Sequence, residues 1–214
     1  MSGTTNFIHG IPYVAISIGF TVSRRPTIGV VLNPFTAQLY TAIHSQGSYL
    51  TIVSPDLSQT LSTHKLPLYP PQQLDLPSSI IAIEYGSDRT GTNFDVKTST
   101  FKNLTAASGG MVHGVRSYGS AALNLCSVAS GFIDAYWEGG CWEWDVCAGW
   151  VILEEAGGML VNGNPPENRE EEIGSADLCG RIYLAVRNGQ SRLETENYVR
   201  AFWGLMEGRL EYGR

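Results

Sequence analysis

The sequence is poor in positive charge and contains no long apolar run. It has 14 Lys and Arg residues against 20 Asp and Glu residues, which gives a formal net charge of −6. Because nucleic-acid binding needs a basic surface that neutralises phosphates, this balance argues against a nucleic-acid partner. No apolar stretch approaches the length that crosses a bilayer, and no signal peptide precedes the first strand, so we expect no membrane partner.

Cysteine and histidine are scarce, and neither residue type shows the spacing of a metal site. The four cysteines contain no C-x-x-C pair, so neither a zinc site nor a disulfide framework is indicated. This cysteine usage fits a reducing compartment, and we expect a cytoplasmic protein. The sequence also lacks a G-x-S-x-G elbow, a Walker loop and a dinucleotide fingerprint, which leaves serine-nucleophile, NTPase and dehydrogenase chemistry with little support.

The chain of 214 residues is long enough for one large domain or two small ones that share a core. It begins with apolar, β-branched segments joined by short turns, which predict an antiparallel sheet. The predicted strands cover residues 12–22, 27–32, 38–43 and 48–53, and the first of them is expected to be buried.

A proline-rich stretch divides this sheet from a different pattern. Residues 54–79 contain five prolines, which indicate an extended linker. Strands and helices then alternate, which predicts α/β layering with a partly parallel sheet. We therefore expect an antiparallel subdomain over residues 1–54, a linker over 55–79 and an α/β subdomain over 80–214.

One stretch of the second half combines carboxylates with a helical apolar stripe. It is residues 137–158, WEGGCWEWDVCAGWVILEEAGG. The pattern indicates a helix that ends at Gly157, with Asp145 either as its N-cap or as a metal ligand facing a pocket. Asp134 and Glu138 share one face of the preceding strand. If Asp145 approaches them, the three carboxylates could bind Mg²⁺ together, and this is the alternative to Asp145 serving only as a helix cap.

Two further segments combine glycine with hydroxyl side chains at the start of a helix. Gly3-Thr4-Thr5 precedes a short helix or loop, and Gly119-Ser120-Ala121 lies at a strand-to-helix junction. Backbone N–H groups at such positions suit a phosphate or a polyol hydroxyl. Each segment taken alone is equally well explained as an ordinary turn or helix cap.

Taken together, three segments resemble the inositol monophosphatase family of Mg²⁺-dependent phosphatases. They are GTTNFIHGIPYVAISIGF (3–20), HGVRSYGSAALNLC (113–126) and WDVCAGWVILEEAGG (144–158). The resemblance implies a mixed α and β fold, layered as an α/β/α/β/α sandwich, and a homodimer. It also implies hydrolysis of inositol monophosphate, a polyol phosphate, to inositol and phosphate by a water that Mg²⁺ activates.

The resemblance also assigns roles to individual residues. It implies that Thr4 helps position the attacking water, that the backbone of Gly3 and Thr4 forms part of the phosphate site, and that Asp145 binds metal. The remaining positions match residues that contact the inositol ring in the family, and these are Gly119, Ser120, Ala121 and Glu138.

The start of the sequence departs from the family pattern. In the family, an acidic D-P-x-D motif and a glutamate further upstream precede the glycine-threonine-threonine run, whereas here Ser2 stands where the second aspartate belongs. Only Asp145 remains of the usual carboxylate ligands, so we expect an incomplete metal site, because a hard cation needs several oxygens. We also expect an N-terminally incomplete, truncated sandwich whose first sheet exposes an apolar face.

Three interpretations of this departure stay open. The sequence starts late within a longer phosphatase, or the chain is an inactive short paralogue that acts as a dimer partner. In the third interpretation, the chain is a phosphatase of the same superfamily whose substrate is another sugar phosphate or a nucleotide phosphate.

Overall fold

The computed structural model describes residues 1–168 and 171–213, and these contain five helices and ten strands. The helices are α1 (Thr4–Ile8), α2 (Thr92–Thr105), α3 (Ala121–Ser130), α4 (Glu143–Glu155) and α5 (Arg192–Gly204). The strands are β1 (Ile16–Val22), β2 (Arg25–Asn33), β3 (Gln38–Ile43), β4 (Ser48–Val53), β5 (Thr60–Lys65), β6 (Ile80–Ile83), β7 (Gly114–Arg116), β8 (Ala135–Gly139), β9 (Met159–Asn162) and β10 (Ile182–Val186).

The first sheet is an antiparallel meander with the order β1-β2-β3-β4-β5. Its first four strands confirm the predicted sheet. The fifth strand, β5, lies inside the stretch that the sequence indicated as a linker, yet it pairs with β4 from Tyr49↔Lys65 to Val53↔Thr60. Most of its residues are exposed, and its sequence TLSTHK has no apolar side to mark it as a strand. Pairing with β4, rather than an apolar pattern, holds these residues in the sheet.

The second sheet has the order β7-β6-β8-β10-β9 and is mixed. β6 runs parallel to β7 and β8, whereas β10 runs antiparallel to β8 and β9, which confirms the predicted partly parallel sheet. Helices α3 and α4 lie between the two sheets, and α2 and α5 pack on the far side of the second sheet. The described residues thus form four of the five expected layers, in the order β/α/β/α.

The outer face of the first sheet is apolar and exposed. Every second residue of β1 points away from α4, and these side chains are about half exposed: Ile16 48%, Ile18 61%, Phe20 56% and Val22 52%. The prediction that this strand is buried is therefore wrong, because no described element covers its outer side. The expected exposed apolar face is confirmed.

The inner face of the same sheet lies very close to the backbone of α4. A Cβ atom added at Gly29 would lie 2.3 Å from the carbonyl oxygen of Ala148, and one at Gly19 would lie 2.4 Å from Sγ of Cys147. Glycines at these two positions of β1 and β2 let the helix rest directly on the sheet. This contact fixes where α4 begins relative to the first half of the chain.

The longest helix in the described part of the chain, α2, has 14 residues. A membrane-spanning helix needs about 20 residues. None of the helices in residues 1–168 and 171–213 is long and apolar enough to cross a bilayer.

Candidate functional site

A cavity of about 780 Å³ lies where three helices begin. The residues that precede α1, α3 and α4 are Gly3, Ser120 and Trp142, and all three line the cavity. The first turn of a helix has N–H groups without intrahelical partners and carries the positive end of the helix dipole. The convergence of these helix starts makes the cavity favourable for an anion such as phosphate.

The structure brings six of the seven predicted site residues to this cavity. They are Gly3, Gly119, Ser120, Ala121, Glu138 and Asp145. Thr4 is the first residue of α1 and is exposed, and it is Thr5 and Asn6 that line the cavity. Successive residues of a helix point in different directions, so a shift of one residue changes which side chain faces the cavity.

Asn6 and Ser2 tie the start of the chain to the start of α3. Nδ2 of the buried Asn6 donates to the carbonyl oxygens of Tyr13 (2.9 Å) and Tyr118 (2.6 Å). The hydroxyl oxygens of Ser2 and Ser120 lie 2.9 Å apart, and the backbone of Ser2 forms an antiparallel bridge with Ala15. The two segments that sequence analysis treated separately are therefore two sides of one site.

Glu84, which no sequence motif indicated, shapes this site. Its buried carboxylate accepts hydrogen bonds from the backbone N–H groups of Tyr118 and Gly119, both at 2.8 Å. It also accepts from Oγ of Ser117 (2.7 Å) and Nδ2 of Asn124 (2.9 Å). The available signal was a charged residue directly after the apolar strand 80–83, at the strand end where α/β folds bind ligands.

Glu84 and Glu138 lie beside each other because their strands are parallel. Ile83 pairs with Trp137, so the residue after each of them projects from the same edge of the sheet. Glu138 is half-buried and accepts a hydrogen bond from the hydroxyl of Tyr136. Burial raises the pKa of Glu138 to about 8, and the nearby charge of Glu84 adds to this shift. The Glu138 carboxyl group therefore carries a proton at neutral pH.

Asp145 is the third residue of α4, whereas the cap interpretation placed it directly before the helix. The N-cap of α4 is Trp142, and the Asp145 carboxylate accepts a hydrogen bond of 3.0 Å from the Trp142 backbone N–H. This is the carboxylate half of a capping box. The prediction that Asp145 is the N-cap is wrong, although its side chain still stabilises the helix start while lining the cavity.

Asp134 does not join this group of carboxylates. It precedes β8, four residues before Glu138, which corresponds to about 13 Å along a strand. Its carboxylate accepts hydrogen bonds from Nε of Arg187 (2.6 Å) and from the Ile80 backbone N–H (2.8 Å). The predicted convergence of Asp134 with Glu138 and Asp145 is therefore wrong, because they lie at opposite ends of the strand.

The described residues do not by themselves form a complete metal site. In residues 1–168 and 171–213, no three His, Cys, Asp or Glu side chains are grouped closely enough to hold a metal ion together. Asp145, Glu138 and Glu84 line one cavity without forming such a group. Since Mg²⁺ takes several oxygen ligands, the donor set that this part of the chain provides does not fit the ion.

Comparison with known proteins assigns the chain to a family. The model of the inositol monophosphatase family matches residues 2–206. The chain belongs to the inositol monophosphatase family. It is 48% identical over 215 residues to inositol monophosphatase 2 of Saccharomyces cerevisiae, an alignment that covers 99% of this chain and 68% of the yeast protein.

Solved inositol monophosphatases share the fold of this chain. The enzyme from Anabaena (Nostoc) matches with a TM-score of 0.71 and 29% identity, over 95% of this chain and 72% of that one. The SaIMPase-II structure with bound inositol monophosphate matches with a TM-score of 0.65 and 28% identity, over 92% of this chain and 66% of that one. The mixed α and β layering is therefore the inositol monophosphatase fold, and the family is metal-dependent.

Replacement of Glu84 by glutamine tests its role in shaping the site. Glu84→Gln replaces a charged acceptor by a neutral amide, so the hydrogen bonds from Tyr118, Gly119 and Asn124 weaken. The exposed Ser117 hydroxyl can reverse its bond and accept from the new NH₂ group. We expect a loss of about 2 kcal/mol in the free energy of unfolding, measured by urea denaturation. Glu167→Gln, at an exposed residue, is the control and should leave stability unchanged. A Glu84→Gln variant as stable as the wild type would show that the hydrogen bonds of Glu84 do not stabilise the loop before α3.

The raised pKa of Glu138 predicts a specific pH dependence of stability. Its ordinary value is 4.5 and its value in the folded protein is about 8, so the folded state binds more protons between these pH values. The contribution of Glu138 to stability is therefore present at low pH and is lost as pH rises towards 8.

Glu138→Gln should remove this contribution. We expect the variant to lose less unfolding free energy than the wild-type chain between about pH 5 and about pH 8 in urea denaturation. The control Glu167→Gln should follow the wild-type curve. Parallel curves for Glu138→Gln and wild type would show that Glu138 does not titrate in this range.

Proposed function

We propose that the protein hydrolyses inositol monophosphate to inositol and phosphate. The observation that carries this proposal is the cavity at which α1, α3 and α4 begin, with polar residues of the second sheet on its far wall. Two comparisons support the substrate. The yeast relative is named an inositol monophosphatase, and SaIMPase-II has been solved with inositol monophosphate bound.

The cavity offers different chemistry to the two ends of such a substrate. We assign the phosphate to the helix starts near Gly3 and Ser120, where backbone N–H groups favour an anion. The polyol ring is assigned to Gly119, Ser120, Ala121 and Glu138. A protonated Glu138 carboxyl group donates one hydrogen bond and accepts others, which suits a ring of hydroxyl groups.

Mg²⁺ is the metal that we propose for the family reaction, with Asp145 as the ligand that this chain contributes. Bound Mg²⁺ supplies an activated water in such hydrolases. Because the described residues do not complete a site for it, we assign only binding and orientation to this chain's own side chains. The role of Thr4 in positioning the water likewise stays a proposal.

We further infer that the protein is a homodimer in the cytoplasm, with no nucleic-acid or membrane partner. The apolar outer face of β1 supports self-association, since exposed apolar patches of this kind mark interaction surfaces. All four cysteines are free thiols, as is usual in a reducing compartment. Sedimentation of the purified chain at micromolar concentration should show twice the chain mass, and a single-chain mass would contradict the dimer.

The proposed function is tested by binding and by phosphate release. We expect inositol monophosphate to bind by calorimetry. The incomplete donor set should bind Mg²⁺ only weakly, and Asp145→Asn should weaken this binding further, by at least about tenfold, because a ligand oxygen with full charge is lost. Asp95→Asn is the matched control, since Asp95 also lies in the first turn of a helix but is exposed and away from the cavity.

Four outcomes separate the interpretations of this protein. Failure to bind inositol monophosphate would contradict the proposed function. Binding without phosphate release in Mg²⁺ would show that this chain alone does not complete the reaction. Faster phosphate release from a nucleotide or another sugar phosphate would identify that ester, rather than inositol monophosphate, as the preferred substrate. Unchanged Mg²⁺ binding by Asp145→Asn would contradict the role of Asp145.

A further inference from the structure

Residues 210–213, which we term the C-terminal strap, return from α5 to one wall of the cavity. Two asparagines hold the strap by paired bonds to its backbone. Asn164 donates to the Leu210 carbonyl and accepts from the Leu210 N–H, both at 2.9 Å. Asn93 does the same for Glu211, at 2.9 and 2.7 Å. The strap is therefore a fixed part of the structure, and it carries Tyr212 into the cavity lining.

The ring of Tyr212 lies against two consecutive glycines. A Cβ atom added at Gly139 or Gly140 would lie 2.6 or 3.0 Å from atoms of this ring. These glycines directly follow Glu138, so the ring borders the part of the cavity that we assign to the polyol. Its hydroxyl donates a hydrogen bond of 2.8 Å to Asp88, in the loop after β6.

Two cations lie close to the Tyr212 ring. The Lys97 ammonium group lies 5.3 Å and the Arg181 guanidinium group 5.6 Å from the centre of the Tyr212 ring. They also donate to the carbonyl oxygens of Gly139 (3.0 Å) and Gly140 (2.7 Å), and Arg181 reaches the Gly213 carbonyl at 2.6 Å. Cation–π contacts and charged hydrogen bonds thus reinforce one another.

The phenol of Tyr212 remains a donor over the physiological pH range. Burial raises its pKa, and the hydrogen bond to Asp88 raises it further, so deprotonation is disfavoured. The bond to Asp88 therefore persists at neutral pH. It couples the strap to the loop 86–89, whose residues Gly86, Ser87 and Arg89 also line the cavity.

We propose that Tyr212 is a specificity-determining residue, which closes the polyol end of the cavity and limits the size of the alcohol part of the phosphate ester. This inference rests on the proposed function and adds a residue that the family motifs of the sequence do not include. The ring provides the closed wall, and its hydroxyl positions the loop 86–89 through Asp88.

Binding of two phosphate esters of different size tests this role. The probes are inositol monophosphate and the bulkier adenosine 2′-monophosphate, titrated calorimetrically into wild type, Tyr212→Ala and Tyr212→Phe. We expect Tyr212→Ala to shift the ratio of the two affinities by about tenfold towards the adenosine ester. Tyr212→Phe keeps the ring and should stay within about twofold of the wild-type ratio.

The ratio of the two affinities distinguishes a change in specificity from a loss of structure, because general destabilisation weakens the binding of both esters alike. Tyr49→Ala removes a similarly half-buried tyrosine of the first sheet and should leave the ratio unchanged. An unchanged ratio in Tyr212→Ala would overturn the proposal. Failure of the wild-type chain to bind either ester would overturn the proposed function, and this specificity role with it.

A measurement without ligand tests the coupling through Asp88 on its own. Amide hydrogen exchange at residues 86–89 should become faster in both Tyr212→Ala and Tyr212→Phe, because each loses the bond to Asp88. Tyr49→Ala should leave this exchange unchanged. Unchanged exchange in both Tyr212 variants would overturn the positioning of the loop by Tyr212, whatever the chain binds.

Discussion

Four donors converge on the buried carboxylate of Glu84, and the loop that leads into α3 takes its shape from this contact. A buried charge is costly unless it is well hydrogen-bonded, and here two backbone N–H groups and two side chains supply the bonds. The contact joins the end of β6 to the start of α3. It holds Gly119 in its left-handed conformation at the wall of the cavity, with φ 80°.

The position of α4 depends on a different constraint, the close approach of its backbone to the first sheet. Gly19 and Gly29 leave the space that α4 occupies, and this contact sets the helix start that carries Asp145. The cavity therefore combines parts from both halves of the chain. α1 comes from the first half, whereas α3, α4 and the ends of β6 and β8 come from the second.

The electrostatics of the cavity vary along its wall. Helix starts favour negative charge near Gly3 and Ser120. Beside the loop that leads into α3, two neighbouring carboxyl groups, Glu84 and Glu138, are brought together by the parallel pairing of β6 and β8. Burial and the neighbouring charge keep Glu138 protonated, so its carboxyl group can donate a hydrogen bond to a hydroxyl group. One cavity is thus suited to both parts of a polyol phosphate.

The sequence by itself determined the family, most of the strands and helices, and six of the residues that line the cavity. These features depend on local patterns: apolar alternation, turn residues, and short motifs that keep their spacing. Predictions from local patterns were wrong in two places. Asp134 and Glu138 are close in sequence but lie at opposite ends of a strand. Thr60–Lys65 was predicted to be linker because the strand has no apolar face.

Only the tertiary structure decided the parts that depend on distant contacts. Glu84 meets Gly119 across 35 positions of sequence, and Tyr212 meets Asp88 across 124. Neither pair leaves a periodic signal, because the partners are single residues on loops and strand ends whose proximity is created by sheet pairing and helix packing. The family motifs therefore fixed the chemistry of the site, whereas the fold alone decided what holds the loop beside it and what closes its far wall.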